Sequence, residues 1–318
     1  MIYGISHPIL WSYSLIMWSH EGNIKKLYSQ MLKLKNIYND EQVEEMMLRK
    51  AKRDSAALAI SCVVSVLLHT TSAILLFMNS EGTFTTVITA WPLVDDPSFA
   101  ADVVRIICNL VWWVFLSRII ATYIIIIGLA TSMSHQYTNL QSYFCRIEAV
   151  FEDKHLRQRE KEKKYEEAFK LGIQLHSDTI ECFGQFQNIC SGIFSGQVVF
   201  VILMLVFLMT QMMKSERTMV NAAATAVTAT SVLISTGFVL WNAGDITVEA
   251  SKLPTAMYLS GWQNCQGMSS YGIRKLVVIA MTHAQKPVVL KGLGIMNLSY
   301  QSYVSLVKSS YSVFSVIY

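Results

Sequence analysis

The residue types that most often perform catalysis or bind metals are scattered along this sequence. The chain has 318 residues, among them seven histidines and six cysteines. Neither a Cys-x-x-Cys nor a His-Glu-x-x-His spacing occurs, and no glycine-rich phosphate loop is present. Ser, His and Asp residues show no order that differs from chance. We therefore expect no enzymatic activity, no cofactor and no metal site.

Hydroxyl side chains in the last apolar segment do follow a helical spacing. At about 100° per residue, Ser305, Ser309 and Ser312 fall on one stripe together with Val316. Three hydroxyls in line with one β-branched residue suit a water-filled path closed by a hydrophobic ring, because such constrictions gate by dewetting. On spacing alone, the more common explanation is that small hydroxyl residues let helices pack closely.

The composition indicates that the helix containing these serines belongs to a membrane protein. Hydrophobic residues make up 53% of the chain and charged residues only 15%, whereas soluble domains have about 25% charged residues. A single soluble globule and a disordered chain are therefore excluded. The basic residues form two blocks separated by apolar runs, which is not typical of nucleic-acid binders. We predict an all-α, polytopic membrane helix bundle.

Several segments are long and apolar enough to cross a bilayer, which requires about 20 residues. They are 56–78, 103–133, 189–213, 219–241 and 295–318, with 4–19 as a shorter one. A cleavable signal peptide is a poor interpretation of 4–19, because no basic region precedes it. Near the C-terminus, Pro287, Gly292 and Gly294 separate the short apolar piece 276–284 from the last helix.

The distribution of Lys and Arg predicts the orientation of the bundle. Loops 20–55 and 136–188 carry eight Lys or Arg residues each, whereas loop 79–102 carries no Lys or Arg. The positive-inside rule therefore places 20–55, 136–188 and 243–275 in the cytoplasm and the C-terminus outside. This orientation is opposite to that of a rhodopsin-like receptor.

The long loop 136–188 has a helical charge pattern of its own. Residues 152–170 alternate in charge at helical spacing, as in a solvated helix. One interpretation is a solvated linker. The other is a cytoplasmic helical base that packs against 243–275 and against neighbouring subunits.

Motifs spread over 240–318 resemble one family. They are Glu249, Ser251, Tyr258 and Trp262, then the turn Gln285-Lys286-Pro287, then Gly292 and the triplet Ser310-Tyr311-Ser312. In this order they closely resemble the insect odorant receptor family, and the orientation deduced from charge agrees with that family. Relative to the usual seven spans, the chain lacks the first helix, so a span is expected to be missing at its start.

The resemblance implies a tuning subunit of an odorant-gated, non-selective cation channel. Its partners would be the odorant co-receptor in a heterotetramer, a small volatile odorant or pheromone, and membrane lipid, in the plasma membrane of an olfactory neuron dendrite. Residues 1–242 would form the transmembrane ligand-binding bundle, with 136–188 as its cytoplasmic extension. Residues 243–286 would form a cytoplasmic anchor, and 287–318 a pore-lining terminal helix. The last helix would be split into 276–286 and 296–318, with Val316 as the gate.

In this family, odorants enter the outer half of the bundle, and the predicted orientation indicates which residues lie there. The candidates are mostly apolar or aromatic, as a small volatile ligand requires. They are Trp11, His69, Ala73, Phe77, Trp112, Phe115, Met209, Asn221 and Thr225. For each of them, packing in the core is the alternative role. Arg118 is expected to be structural, because a cation is costly inside lipid without a partner.

Three other classes of membrane protein agree less well with the sequence. A gustatory receptor shares the split last helix but typically ends in a different Thr-Tyr-containing pattern. A G-protein-coupled receptor is disfavoured because no Asp-Arg-Tyr follows the third apolar run and the last helix has no Asn-Pro-x-x-Tyr. A transporter would be expected to show internal repeats and broken helices in both halves, and only one break is evident.

Overall fold

Long α-helices make up almost all of the structure, a computed structural model that describes residues 2–79, 96–214, 219–267, 270–294 and 296–317. The described chain forms eight α-helices and two short 3-10 helices. The α-helices are α1 Ile2–Ser19, α2 Glu21–Tyr38, α3 Glu41–Asn79, α4 Phe99–Arg146, α5 Gln158–Lys214, α6 Met219–Tyr258, α7 Ser270–Ala284 and α8 Tyr300–Ile317. With only 5 prolines and 15 glycines in the sequence, few positions interrupt a helix.

Three of the described helices are long and apolar enough to cross a membrane. They are Phe99–Glu152, Gln158–Thr210 and Thr225–Asn264. The first contains the predicted span 103–133, and the other two contain most of the predicted spans 189–213 and 219–241. Predicted segments 4–19 and 56–78 lie within α1 and α3. The 57 residues of α5 extend for about 85 Å, far more than the roughly 30 Å of a hydrocarbon core. A helix of this length is long enough to continue beyond the membrane, as the prediction of a helical extension requires.

Aromatic side chains from α1, α2, α4 and α5 form much of the buried core. Phe144 of α4 meets Phe169 of α5 with ring centroids 5.2 Å apart. Gly172 makes this approach possible, because a Cβ at that position would lie 2.7 Å from the Phe144 ring. Gly196 has the same role beside Tyr13, with a distance of 2.6 Å from its added Cβ to the ring. A side chain at either position would therefore require the aromatic ring or the helix to shift.

Polar contacts tie the beginning of α5 to the segment that follows α6. Glu162 accepts hydrogen bonds from the backbone N–H groups of Gln266, at 2.8 Å, and Gly267, at 2.7 Å. The buried Tyr165 hydroxyl lies 2.6 Å from that of Ser260. Residues of the 136–188 loop thus pack against the 243–275 region within one chain, as one of the two interpretations of that loop expected.

A short connection between α2 and α3 is anchored on the end of α4. Asp40 accepts a hydrogen bond of 2.7 Å from the Ser142 hydroxyl and forms an ion pair with Arg146. The hydrogen bond from Ser142 and the nearby Arg146 charge hold the pKa of the Asp40 carboxyl below its ordinary value.

The last helix is split, as predicted, but the break contains a small β-hairpin that was not predicted. Strands β1 (Lys291–Gly292) and β2 (Met296–Asn297) pair antiparallel, and the turn between them has positive φ at Leu293 and Gly294. The side-chain amide of Gln187 on α5 makes two hydrogen bonds to the Lys291 backbone, at 2.7 and 3.0 Å. The Ser195 hydroxyl accepts a third from the Leu293 N–H at 2.9 Å. The hairpin therefore fixes the start of α8 against α5.

Candidate functional site

A cavity of about 340 Å³ lies between α3 and α6. Its lining is apolar or hydroxyl-bearing and recurs at three- to four-residue intervals on both helices. The lining residues are Ser61, Val64, Leu68, Ala226, Val227, Thr230, Ser231 and Ile234. Val64 and Leu68 are about half exposed, so the cavity is a groove open along the α3 side. Its size and lining suit a small, mostly apolar molecule.

Each of the three hydroxyls that line this groove donates a hydrogen bond to a backbone carbonyl of its own helix. Ser61 donates to the Leu58 carbonyl at 2.8 Å. Thr230 donates to Ala226 at 2.8 Å, and Ser231 donates to Val227 at 3.0 Å. Because a hydroxyl has one proton and two acceptor lone pairs, these groups face a ligand as acceptors. The groove is thus suited to an apolar molecule that carries a hydrogen-bond donor.

The structure brings two of the predicted ligand residues together, but not in this groove. The Trp11 ring of α1 stacks on Phe115 of α4 with centroids 6.2 Å apart. The guanidinium of Arg118 lies 5.8 Å from the centroid of the Trp11 ring. This cation–π contact gives Arg118 a partner, as its expected structural role requires. The cluster joins α1 to α4.

Of the other predicted ligand residues, Thr225 and Met209 are described and do not line the groove. Thr225 is buried and immediately precedes the lining residue Ala226, whereas Met209 is half-buried on α5. The side chains of the remaining five lie outside the described part of the structure. These are His69, Ala73, Phe77, Trp112 and Asn221.

Sequence reasoning missed the residues of the groove because it selected positions by depth in the membrane rather than by helix face. The lining positions Ser61, Val64 and Leu68 are spaced at three and four residues, as one face of a helix requires. A signal was present in the small and hydroxyl-rich composition of 219–241. The packing of that face of α6 against α3 is a tertiary contact, which the local sequence pattern does not predict.

A network of charged and polar groups lies farther along the same two helices. Lys50 of α3 contacts the Asp245 carboxylate of α6 at 2.6 Å and donates to the side-chain amide oxygen Oδ1 of Asn242 at 2.8 Å. Thr131 of α4 donates to the same oxygen at 3.2 Å. The hydroxyl of Tyr300, the first residue of α8, donates to Asp245. Four helices therefore meet in one hydrogen-bonded cluster.

The first turn of α8 also packs closely on α6. The Tyr300 ring lies against Gly244, where a Cβ would come within 3.1 Å of the ring. Tyr303 meets Trp241 with ring centroids 5.6 Å apart. Aromatic contacts and the hydrogen bond from Tyr300 to the Asp245 carboxylate both join α6 to α8 here. A shift of α6 would therefore displace the start of α8.

The described serines of the predicted pore stripe share an exposed side of α8. Ser305, Ser309 and Ser312 are exposed, whereas Leu306 and Ser310 are buried on the opposite side of the helix. The side chain of Val316 lies outside the described part of the structure. Within one chain, the serine stripe is thus free of the packing role that was its alternative explanation.

Comparisons with known proteins give the same family and fold. The sequence pattern of the 7tm Odorant receptor family matches residues 10–311. The olfactory receptor OR5 from Machilis hrabei superposes with a TM-score of 0.79 at 13% identity, over 99% of this chain and 80% of OR5. The structure of OR5 in complex with eugenol superposes with a TM-score of 0.73 at 11% identity, with the same coverage. No curated protein sequence matches the chain. The family match over nearly the whole length, on a helix bundle with a split last helix, shows that this chain belongs to the 7tm odorant receptor family.

Proposed function

We propose that this chain is the odorant-binding, tuning subunit of a ligand-gated, non-selective cation channel that it forms with the odorant co-receptor. The observation that carries the proposal is that the groove and the polar network are both formed by α3 and α6. These two helices line the groove, and they also hold the polar network that reaches α8. A ligand that changes their separation would therefore act on the last helix.

The ligand is a small volatile odorant or pheromone with a largely apolar body and one hydrogen-bond donor. The apolar body suits Val64, Leu68 and Ile234, and the donor suits the hydroxyl oxygens of Thr230 and Ser231. The eugenol complex of OR5 supports the general class, since eugenol combines an apolar skeleton with a hydroxyl. The ring contact between Trp11 and Phe115 joins α1 to α4, and neither residue lines the groove.

Ligand binding is coupled to the pore through rigid helices. Lys50 precedes the groove residue Ser61 by about 16 Å along α3, and Asp245 follows Ile234 by a similar distance along α6. A ligand that binds one helix arrangement better than the other shifts the population toward it. The Lys50–Asp245–Tyr300 contacts then carry that shift to the first turn of α8.

The pore is formed by the second half of the split helix from each subunit. Ser305, Ser309 and Ser312 line its wet part, and Val316 closes it as a hydrophobic ring near the outer end. The region 243–286, with 136–188 around it, anchors the subunits to one another on the cytoplasmic side. The exposed side of α8 and the excess of basic residues in 20–55 and 136–188 support this arrangement.

The experiment that tests this function is a recording of current in cells that express the chain with the co-receptor, the chain alone or the co-receptor alone. A panel of volatile compounds, with and without hydrogen-bond donors, is applied to each. We expect cation current evoked by donor-bearing compounds only when both subunits are present. Responses that are identical with and without this chain would contradict the tuning role.

A further inference from the structure

A second cavity, of about 420 Å³, lies where α3 and α6 change from uncharged to charged sequence. It is lined by Lys50, Arg53, Asp54, Ala57, Phe238, Trp241, Asn242, Asp245 and Tyr300. On α3, residues 55–79 contain no Asp, Glu, Lys or Arg, and on α6 the same is true of 219–244. Charged residues begin on both helices at the cavity, which places it at a membrane–water boundary.

Basic residues concentrate on α3 at the level of this cavity, and two of them, Lys50 and Arg53, line it. The sequence Arg49-Lys50-Ala51-Lys52-Arg53 precedes the apolar part of α3. Arg49, Lys52 and Arg53 lie on one side of the helix because they are three and four residues apart. Arg53 contacts Asp54 through Nε at 3.1 Å, while 74% of its side chain remains exposed. Most of its guanidinium is therefore accessible to an external anion, which Arg binds well through paired N–H groups.

An exposed apolar stripe continues from Arg53 along α3. Ile60, Leu67 and Ile74 follow it at intervals of seven residues, so the four positions drift by only about 20° per step around the helix. All three apolar side chains are exposed. One face of α3 thus presents a cationic group at the membrane boundary and aliphatic side chains above it. This order matches a phospholipid, whose charged headgroup lies at the boundary and whose acyl chains lie in the membrane interior.

We propose that the mouth of this cavity is a binding site for the headgroup of an anionic phospholipid. The headgroup phosphate contacts Arg53 and Lys52, and the acyl chains lie along Ile60, Leu67 and Ile74. Clusters of basic residues just outside a membrane helix attract anionic lipids of the cytoplasmic leaflet, where the positive-inside rule places this segment. Because Tyr300 lines the same cavity, the bound lipid lies beside the first turn of α8.

The test is binding of short-chain lipids to the purified full-length chain in a neutral detergent, counted by native mass spectrometry. The probes are dioctanoyl phosphatidylserine, dioctanoyl phosphatidylcholine and the water-soluble headgroup phosphoserine. The Lys52→Gln/Arg53→Gln variant removes the two proposed phosphate contacts. The matched control is Lys163→Gln/Lys164→Gln, which removes two charges from the exposed part of α5.

We expect the wild-type chain to bind phosphatidylserine in preference to phosphatidylcholine. In the Lys52→Gln/Arg53→Gln variant its affinity should fall by roughly tenfold to thirtyfold, because each basic residue near the surface contributes to anionic lipid binding. The control variant should bind as the wild type does. Equal binding of the two lipids, equal losses in both variants, or displacement of the lipid by an equimolar amount of phosphoserine would overturn the proposal. The readout needs no odorant, so it does not depend on the proposed channel function.

Discussion

At the residue scale, the hydroxyls of the groove decide which ligands can be oriented there. The hydroxyl protons are used in hydrogen bonds within the helices for Ser61, Thr230 and Ser231. These residues can therefore accept a hydrogen bond from a ligand at no cost to the helix, but they have no proton left to give. A ligand with only acceptor groups would leave those acceptors unpaired in the groove, which costs free energy.

Removal of one such acceptor should be selective among odorants. We predict that Thr230→Val raises the half-maximal concentration of alcohol or phenol odorants by about fivefold, since one hydrogen bond contributes about 1 kcal/mol. Odorants without a donor should be little affected. The measurement is a dose–response series in cells that also express the co-receptor.

The matched control for this substitution is Thr282→Val on α7. Thr282 makes the same bond to its own helix, donating to the Val278 carbonyl at 2.8 Å, but it lies outside the groove. If Thr282→Val shifted alcohol responses as strongly as Thr230→Val, or if the latter changed all odorants equally, the orientation argument would be wrong.

At the scale of helices, the proposed coupling of ligand binding to the pore depends on the contact between α6 and the start of α8. Asp245 is shared between Lys50 of α3 and Tyr300 of α8. Because the carboxylate is held from both sides, neither helix can move without changing the other contact. The hairpin between α7 and α8 is attached to α5 through Gln187 and Ser195, so the start of α8 is also held from the α5 side.

We predict that Tyr300→Phe reduces the maximal odorant-evoked current several-fold at unchanged surface expression. The substitution keeps the ring that packs on Gly244 but removes the hydroxyl that bonds Asp245, a hydrogen bond to a charged group. Whole-cell current normalised to surface-labelled receptor measures the effect. Tyr311→Phe removes a hydroxyl from an exposed position on the same helix and should leave the current unchanged. A wild-type maximal current in Tyr300→Phe would exclude this route.

At the scale of the whole molecule, the sequence was sufficient to predict the class of fold. The long apolar runs predicted the spans in α4, α5 and α6, and Pro287 with the following glycines predicted the split of the last helix. These features depend on neighbouring residues in the chain. Motifs such as Gln285-Lys286-Pro287 carried the resemblance that the family match over 10–311 confirms.

Features that depend on contacts between distant residues could not be predicted in this way. The groove requires Ser61 to face Thr230, and the network requires Lys50 to meet Asp245. Neither contact can be predicted from the local sequence pattern. The hairpin is two residues per strand and is held by Gln187, more than a hundred positions earlier. For the same reason, ligand candidates chosen by depth, such as Met209, do not lie in the groove.

The central claim is that an odorant occupies the groove between α3 and α6 and thereby opens the channel. Its most direct test is Thr230→Cys in a Cys145→Ser background, which removes a cysteine that is exposed in the structure. A bulky thiol reagent is applied to cells that also express the co-receptor, with or without a saturating odorant. We predict that the reagent abolishes the evoked current and that the odorant slows this loss at least tenfold. Loss of current at the same rate with and without odorant, or no loss at all, would contradict the account.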